Sequence, residues 1–320
     1  MSVRHVEQFY GLPVRTFPPY AHPEELPDPD AVAWRFQCGP YATDEDVEVC
    51  WRRFTESVEL EKVRAVILGQ PWYDADGGGG ERFLTELAYR LTALEAVFLG
   101  DLEEDEAMVS WIGQSDLGPF LAAFPGLREL HVRGGQGLAF PVTGHEGLRV
   151  LRVESGGLPP EAAEQIAAAE LPALERLELW LGDEDYGGGT TVAQLAPLLA
   201  GTGKQNLRHL GVQNSPLQDE FAAAFATAPV VERLASLSLS MGTLSDTGAE
   251  ALLGGRPLTH LKELDLSHHF LSHAMMLRIW TQLEPTGVRV NLIGRQEAED
   301  YSDVDYMADD ADGRYIAVAE

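Results

Sequence analysis

Apolar residues recur along most of this chain in one short motif. Leucine or valine stands at the first, fourth and sixth positions of a six-residue unit. The clear copies are Leu94/Val97/Leu99, Leu127/Leu130/Val132, Leu148/Leu151/Val153, Leu174/Leu177/Leu179, Leu207/Leu210/Val212, Leu234/Leu237/Leu239 and Leu261/Leu264/Leu266. A valine-bearing copy, Val63/Val66/Leu68, precedes them, and a weak one, Val288/Val290/Leu292, follows. Of the 43 leucines, 41 lie between Leu60 and Leu292, so the repeat fills the middle of the chain and neither end. Alternation at period two predicts a short strand in each copy, with Leu130 and Val132 on one face and Glu129, His131 and Arg133 on the other. Helical segments are predicted after several strands: Pro160–Leu171, Thr191–Ala200 and Ser272–Leu283, with start signals at Pro159-Pro160, Asp219 and Ser245-Asp246. Strand, turn and helix repeated in series force parallel strands. One such unit cannot bury its own apolar face, so the units must stack.

The expected fold is therefore an α/β solenoid, a horseshoe with a parallel sheet on the concave face and helices on the convex face. The motif and the helix-bearing repeats of roughly 26–28 residues resemble the leucine-rich-repeat proteins, and the ribonuclease-inhibitor-like subclass among them. Asn214 stands where that resemblance implies a turn-closing asparagine, while Gly135, Ser155 and Met241 stand near the equivalent turns of other repeats. Residues 31–36 (AVAWRF), 110–130 (SWIGQSDLGPFLAAFPGLREL) and 313–320 (GRYIAVAE) also resemble a bacterial, cytoplasmic leucine-rich-repeat family of unassigned function. That resemblance brings no catalytic residues and implies an accessory role in a pathway.

Four regions are expected. Residues 1–30, rich in proline, form an extended N-terminal segment laid on the surface. Residues 31–62 form a strand–helix N-terminal cap, with Val47, Cys50, Trp51 and Phe54 on one helix face. Residues 63–293 carry the repeats. Residues 294–320 form an acidic C-terminal tail, of which 297–312 hold eight acids and no base and should stay outside the core, while the apolar end from Arg314 docks somewhere.

Charge narrows the function. The chain has 320 residues, 51 acids against 23 Lys plus Arg, and a formal net charge of −28. A field of that sign repels phosphate backbones and anionic lipids, so neither nucleic acid nor membrane is an expected partner. The opening residues lack an apolar signal core, no run is long enough to span a bilayer, and only Cys38 and Cys50 are present; a reducing cytoplasm is the expected location.

Candidate binding groups fall in two places. Outward-facing positions on the concave sheet supply His131, Arg133, Arg152, Glu154, Arg176, Glu178, Trp180, His209 and Gln213. Their opposite charges sit side by side, and Trp180 among them has the composition of a binding hot spot. Three insertions after strands should line one rim. They bring Trp72, Asp74 and Asp76; Trp111 with Glu103, Glu104, Asp105 and Glu106; and Asp183 and Asp185 beside Glu184.

Catalytic signatures are weak. The glycine run at 77–80 lacks the GK[ST] ending and is flanked by acids, which disfavours a phosphate loop. Asp309–Gly313 fails calcium-loop spacing. His268, His269 and His273 are spaced as a conceivable zinc group, but no cysteine is near, and solvated turn histidines are expected instead. No metal and no cofactor is expected. The expected function is a non-enzymatic, monomeric protein-binding scaffold whose partner carries a basic patch. The alternative is a regulatory or accessory subunit in a pathway acting on a peptide or a basic metabolite, with a metal at those histidines.

Overall fold

A computed structural model describes residues 3–18, 26–37, 47–70, 79–299 and 313–319. Twelve strands form one sheet in strict chain order. They are β1 (Gln8–Phe9), β2 (Leu12–Thr16), β3 (Ala33–Phe36), β4 (Ala65–Leu68), β5 (Ala96–Leu99), β6 (Glu129–Arg133), β7 (Val150–Glu154), β8 (Arg176–Trp180), β9 (His209–Gln213), β10 (Ser236–Ser238), β11 (Glu263–Asp265) and β12 (Arg289–Asn291). The β1–β2 pair is antiparallel and every other pairing is parallel. The helices are α1 (Val47–Ser57), α2 (Glu81–Glu86), α3 (Gly118–Ala123), α4 (Pro160–Ala168), α5 (Ala196–Ala200), α6 (Gln218–Phe225), α7 (Asp246–Gly254) and α8 (His273–Leu283). The chain is thus an open α/β repeat solenoid.

The motif residues build its core. Val66, Val97, Leu130, Leu151, Leu177, Leu210, Leu237, Leu264 and Val290 are paired in register from β4 to β12. Leu264 is 0 % exposed. The helices contribute Phe54, Leu84, Phe120, Ile166, Leu198, Phe221, Phe225, Leu252 and Ile279 to the same cluster. We call this the inner face of the sheet and the opposite one the outer face.

The connection from β6 to β7 contains no helix; bridges Gly113–Gln136, Asp116–Ala139 and Gly144–Glu170 tie down extended chain instead. Its two motif copies start only 21 residues apart, at 127 and 148, which leaves no room for a helical turn and two loops. Helix ends are closed by the following repeat. Lys204, fully buried, donates to the carbonyls of Ala167 (2.9 Å) and Ala169 (2.7 Å) at the end of α4. Arg233 does the same for Gly201 after α5, and Arg256 for Thr227 after α6 (2.9 Å). Cations there meet the negative end of the helix dipole and satisfy its last carbonyls. Burial pulls the Lys204 ammonium down to about 8 against the opposing charge of Glu170.

The N-terminal end does more than lie on the surface, and the C-terminal end docks. The proline-rich N-terminal segment adds β1 and β2 to the sheet, with Val14, Arg15 and Thr16 paired to Ala33, Trp34 and Arg35. Residues ahead of β1 then cross the outer face, as described next. The apolar C-terminal end docks along the loops, while residues 300–312 of the acidic stretch lie outside the described residues.

Candidate interaction face

In-register pairing turns the outer face into three rows. From β6 to β12 the first row reads Glu129, Val150, Arg176, His209, Ser236, Glu263, Arg289. The second, two residues on, reads His131, Arg152, Glu178, Gly211, Ser238, Asp265, Asn291. The third begins Arg133, Glu154 and contains the opposed pair Trp180 and Gln213. Alternation therefore places all nine concave-sheet candidates on one face, as expected. It does not leave them all exposed.

The first part of this face is sealed. Ala33, Ala65, Ile67, Ala96 and Phe98 form an apolar cluster with Phe9, and Val6, Tyr10, Leu12 and Val14 pack on it. The Phe9 ring lies 6.0 Å from that of Phe98 and 5.2 Å from that of His131. Beside this cluster sits a buried charge network. Arg133, 4 % exposed, donates to Glu154 (2.7 Å), to the Leu102 carbonyl (2.6 Å) and to the Arg4 carbonyl (3.4 Å), and pairs with Asp101 (3.4 Å). Asp101 also pairs with Arg35 (2.8 Å) and His5 (3.3 Å), and His5 with Glu106 (3.0 Å). Burial would lower the His5 imidazole, but the hydrogen bond and charge of Asp101 and the charge of Glu106 outweigh it and raise it, with Arg35 opposing. So Arg133, read from sequence as partner-binding, instead holds the N-terminal segment, and Glu154, read likewise, is buried between Arg133 and Arg152 (2.7 Å each). His131 faces Phe9, Phe98 and Glu129 (3.0 Å).

Trp180 is the largest correction. It is 5 % exposed, covered by Val3 from the N-terminal end, Val109 from the insertion after β5, Met241, and Val318 from the C-terminal end. Arg152 lies over its ring at 5.7 Å. Alternation alone cannot foresee this, because both chain ends fold back over the face that alternation exposes. Of the rim tryptophans, Trp111 is 56 % exposed, beside the exposed Met108, and Trp72 with Asp74 and Asp76 lies outside the described residues. Asp185 is exposed, and Asp183 accepts from its amide to close the short turn at 184–186.

From β8 to β12 the face is polar; its first row is open, while Glu178 and Ser238 in the second row and Trp180 and Gln213 in the third are buried. Glu178 is the hub, held by Arg152 (3.2 Å), Arg176 (2.8 Å) and His209 (2.9 Å). Burial raises its carboxyl, yet the His209 hydrogen bond and the charges of Arg152, His209 and Arg176 pull it down to about 2. The other ring nitrogen of His209 meets Ser236 Oγ at 2.7 Å. Gln213, itself buried, donates to Ser238 (3.0 Å) and Ser240 (2.8 Å); Ser238 donates to Asp265 (3.3 Å), which accepts from Asn291 (2.8 Å). The side chains of Gln213 and Glu178 close over Gly211, where a Cβ would stand 2.9 Å from Gln213 Oε1 and 3.3 Å from Glu178 Cγ. Two arginines (Arg176, Arg289) and three carboxylates (Glu178, Glu263, Asp265) share this region, with Arg152 of β7 reaching Glu178, so it is close to neutral in a chain of net charge −28.

Ser236, His209 and Glu178 form a hydroxyl–imidazole–carboxylate line, the arrangement that activates a nucleophile. The backbone of Ser236 is tied into ladders with β9 and β11 on both sides, so its neighbourhood lacks the free amide pair an oxyanion needs. The histidine group does not gather for a metal. His269 is fully buried, not solvated, and both its nitrogens are used, one accepting from the Leu271 amide and one meeting the Leu292 carbonyl at 3.1 Å each. His268 meets the Tyr315 carbonyl (3.1 Å). Burial lowers both imidazoles against those backbone bonds. His273 opens α8, and among the described residues no three acids, histidines or cysteines gather in a metal-binding group.

Sequence reading overlooked the residues that cover the face. The signal was present: AWRF, AVIL and AVFL are nearly continuous apolar strands, which mark burial on both faces.

No protein-family model matches the chain, and no curated protein does. Among solved structures it is similar to a crystal structure of a protein from Bacteroides fragilis, with 27% sequence identity and a TM-score of 0.70 over 78% of this chain and 70% of that one. Among the described residues no helix is long and apolar enough to cross a membrane.

Proposed function

We propose that this chain is a non-enzymatic interaction module of the leucine-rich-repeat type, acting in the cytoplasm, which binds another protein on the open outer face of β8–β12. One observation carries the reading. The sheet's inner face is built alike from β4 to β12, but its outer face is apolar and sealed at one end and polar, with an accessible first row, at the other. Hydroxyls and amides of Ser236 and Asn291, with Arg176, Glu263, Asp265 and Arg289, provide hydrogen-bonding specificity. The net charge of −28 steers in a partner with a basic patch and makes capture salt-sensitive. Trp111 and Met108 add an exposed apolar contact at the rim.

The test fills the floor of the face without touching the leucine ladder. Ser236→Arg with Asn291→Arg should keep the melting temperature within a few degrees and remove proteins that cross-link to the wild type in native cytosol at low salt. An unchanged set of captured proteins would overturn the reading.

The second reading, an accessory subunit acting on a peptide or basic metabolite, draws on the Ser236–His209–Glu178 line. A fluorophosphonate probe decides it. An adduct at Ser236, absent in Ser236→Ala, would favour it, and an unmodified Ser236 ends it.

A further inference from the structure

The C-terminal residues 313–319 lie across the loops that follow β11, β10, β9 and β7, and successive loops read successive positions. Glu299 donates its amide to the Gly313 carbonyl (2.8 Å), where the strap begins. Arg314 pairs with Asp219 (3.0 Å) and donates to the Thr243 carbonyl (2.6 Å). The Tyr315 carbonyl meets His268, and its ring packs on His268 and Phe270. The Ala317 amide donates to the Met241 carbonyl (2.8 Å). Asn214 spans Val318 with its side-chain amide, accepting from the backbone amide (3.0 Å) and donating to the carbonyl. Ala319 passes so close to Gly156 that a Cβ there would stand 2.2 Å from its carbonyl oxygen. The three residues at the crossing loops, Asn214, Met241 and His268, all have positive φ (55°, 68° and 52°). That turn repeats through the solenoid and aims one polar or carbonyl group of each loop at the strap.

We infer that this groove is a binding site for an extended peptide, filled here by the chain's own C-terminus, and that its ligand class is an arginine or lysine followed four residues later by a β-branched aliphatic residue. The cation pairs with Asp219 and the aliphatic residue enters the Trp180 pocket. Three observations favour exchange over a permanent cap. Most polar contacts go to the strap's backbone, as in strand-like peptide recognition generally. The Trp180 pocket is a small cluster separate from the main core, so emptying it leaves the leucine ladder closed. The resident strap is also an imperfect fit, since Trp180 Nε1 is buried there with no hydrogen-bond partner among the described residues; a buried donor left unmet weakens binding, and a ligand offering an acceptor would compete well. The inference rests on the interaction-module reading only for the existence of a partner. The groove meets the outer face at Trp180, but its polar contacts come from the loops and not from the first row of that face.

The experiment uses the full chain with a protease site inserted between Asp300 and Asp312. After cleavage, a labelled synthetic peptide of residues 313–320 is titrated and followed by fluorescence polarisation. Saturable uptake is expected, at least tenfold tighter than by the uncut chain, whose own strap competes at high effective concentration. Peptides carrying Val318→Asp or Arg314→Glu, and cleaved protein carrying Gly156→Ala, should each bind at least tenfold more weakly. If the cleaved chain folds but excludes the peptide, or retains its own fragment in native mass spectrometry, the strap is a permanent cap and the inference fails. Equal binding of the Val318→Asp peptide would also overturn it. A chain ending at Glu299 is the second substrate; if it folds and ignores the peptide, the site does not exist. None of these outcomes bears on capture at the open face.

Discussion

Phe98 and Ser238 occupy the same row of the same sheet face, five strands apart. Phe98 is fully buried under Phe9, with Arg133 over its ring at 5.0 Å. Ser238 is buried too, at 3 % exposure, but in a chain of hydroxyl, amide and carboxylate groups instead of an apolar cluster. The inner neighbours of both are the same repeat ladder, Val97 and Leu239 among its buried side chains. Stacking therefore fixes one face of a solenoid and leaves the other free to specialise. Where chain folds back over it the outer face becomes a second core; where it stays bare it becomes a hydrogen-bonded surface.

The sharpest way to break this contrast is at the border of the sealed end. Arg133→Met removes one cation from between Asp101 and Glu154, both buried carboxylates, leaving Arg35 on Asp101 (2.8 Å) and Arg152 on Glu154 (2.7 Å). Removing one member of a buried ion network is strongly destabilising, and with those partners left a loss of roughly 4 kcal/mol is expected. Urea unfolding measures it, and a loss below about 1 kcal/mol would show that water already reaches the network. Phe98→Ala comes next, at roughly 3–4 kcal/mol from lost transfer energy and a cavity under Phe9. The matching change Ser238→Ala should cost far less. Similar costs for the two would erase the distinction between the halves.

Glu178 marks where the open face begins, and pH tests it. Its carboxyl is pulled from 4.5 to about 2, so the folded state favours the ionised form. That stabilisation is complete above pH 4.5 and fades as pH falls towards 2. Its ceiling is roughly 3 kcal/mol at about 1.4 kcal/mol for each unit, and roughly 2 after allowing for water around the half-exposed Arg152 and Arg176. Glu178→Gln should therefore flatten the fall in stability between pH 4.5 and 2 relative to wild type. Parallel pH profiles would remove Glu178 from the hub.

The repeat, its parallel register and the buried leucines were legible because period-two alternation and stacking leave one solution. Leu264 and Leu237 lie inside, as the motif requires. The candidate site was half legible. The same alternation found the outer face and the opposed charges of Arg152, Glu178 and His209, because in-register parallel strands convert sequence position directly into neighbourhood. It failed at Trp180, Arg133 and Glu154 because what covers them comes from Val3, Arg4, Asp101, Leu102 and Val318. Those contacts span up to 177 positions of sequence, as between Val3 and Trp180, and no local period encodes them. The motif asparagine shows the same limit. Asn214 does donate to a turn carbonyl, that of Ser155 (3.4 Å), yet the same side chain also serves the chain end.

The smallest expected effect is the most telling for function. Arg176 and Arg289 stand on the first row of the open face, each paired with a neighbouring carboxylate, Glu178 and Glu263, and each substantially exposed. Exposed ion pairs contribute little, because water solvates both partners and ordering two long side chains costs entropy. The double change Arg176→Ala with Arg289→Ala should therefore shift stability by no more than about 0.5 kcal/mol, within error in a thermal melt. Arg176 is the more informative of the two. Its loss removes one of three groups holding Glu178, while Arg152 and His209 remain, so the hub carboxylate stays ionised and the acid profile should move only slightly. Partner capture is the quantity that should change, since both guanidiniums are exposed on the first row. A loss of several degrees in the melt would mean the row is part of the scaffold after all, and that the open half of the sheet resembles the sealed half more than its polar side chains suggest.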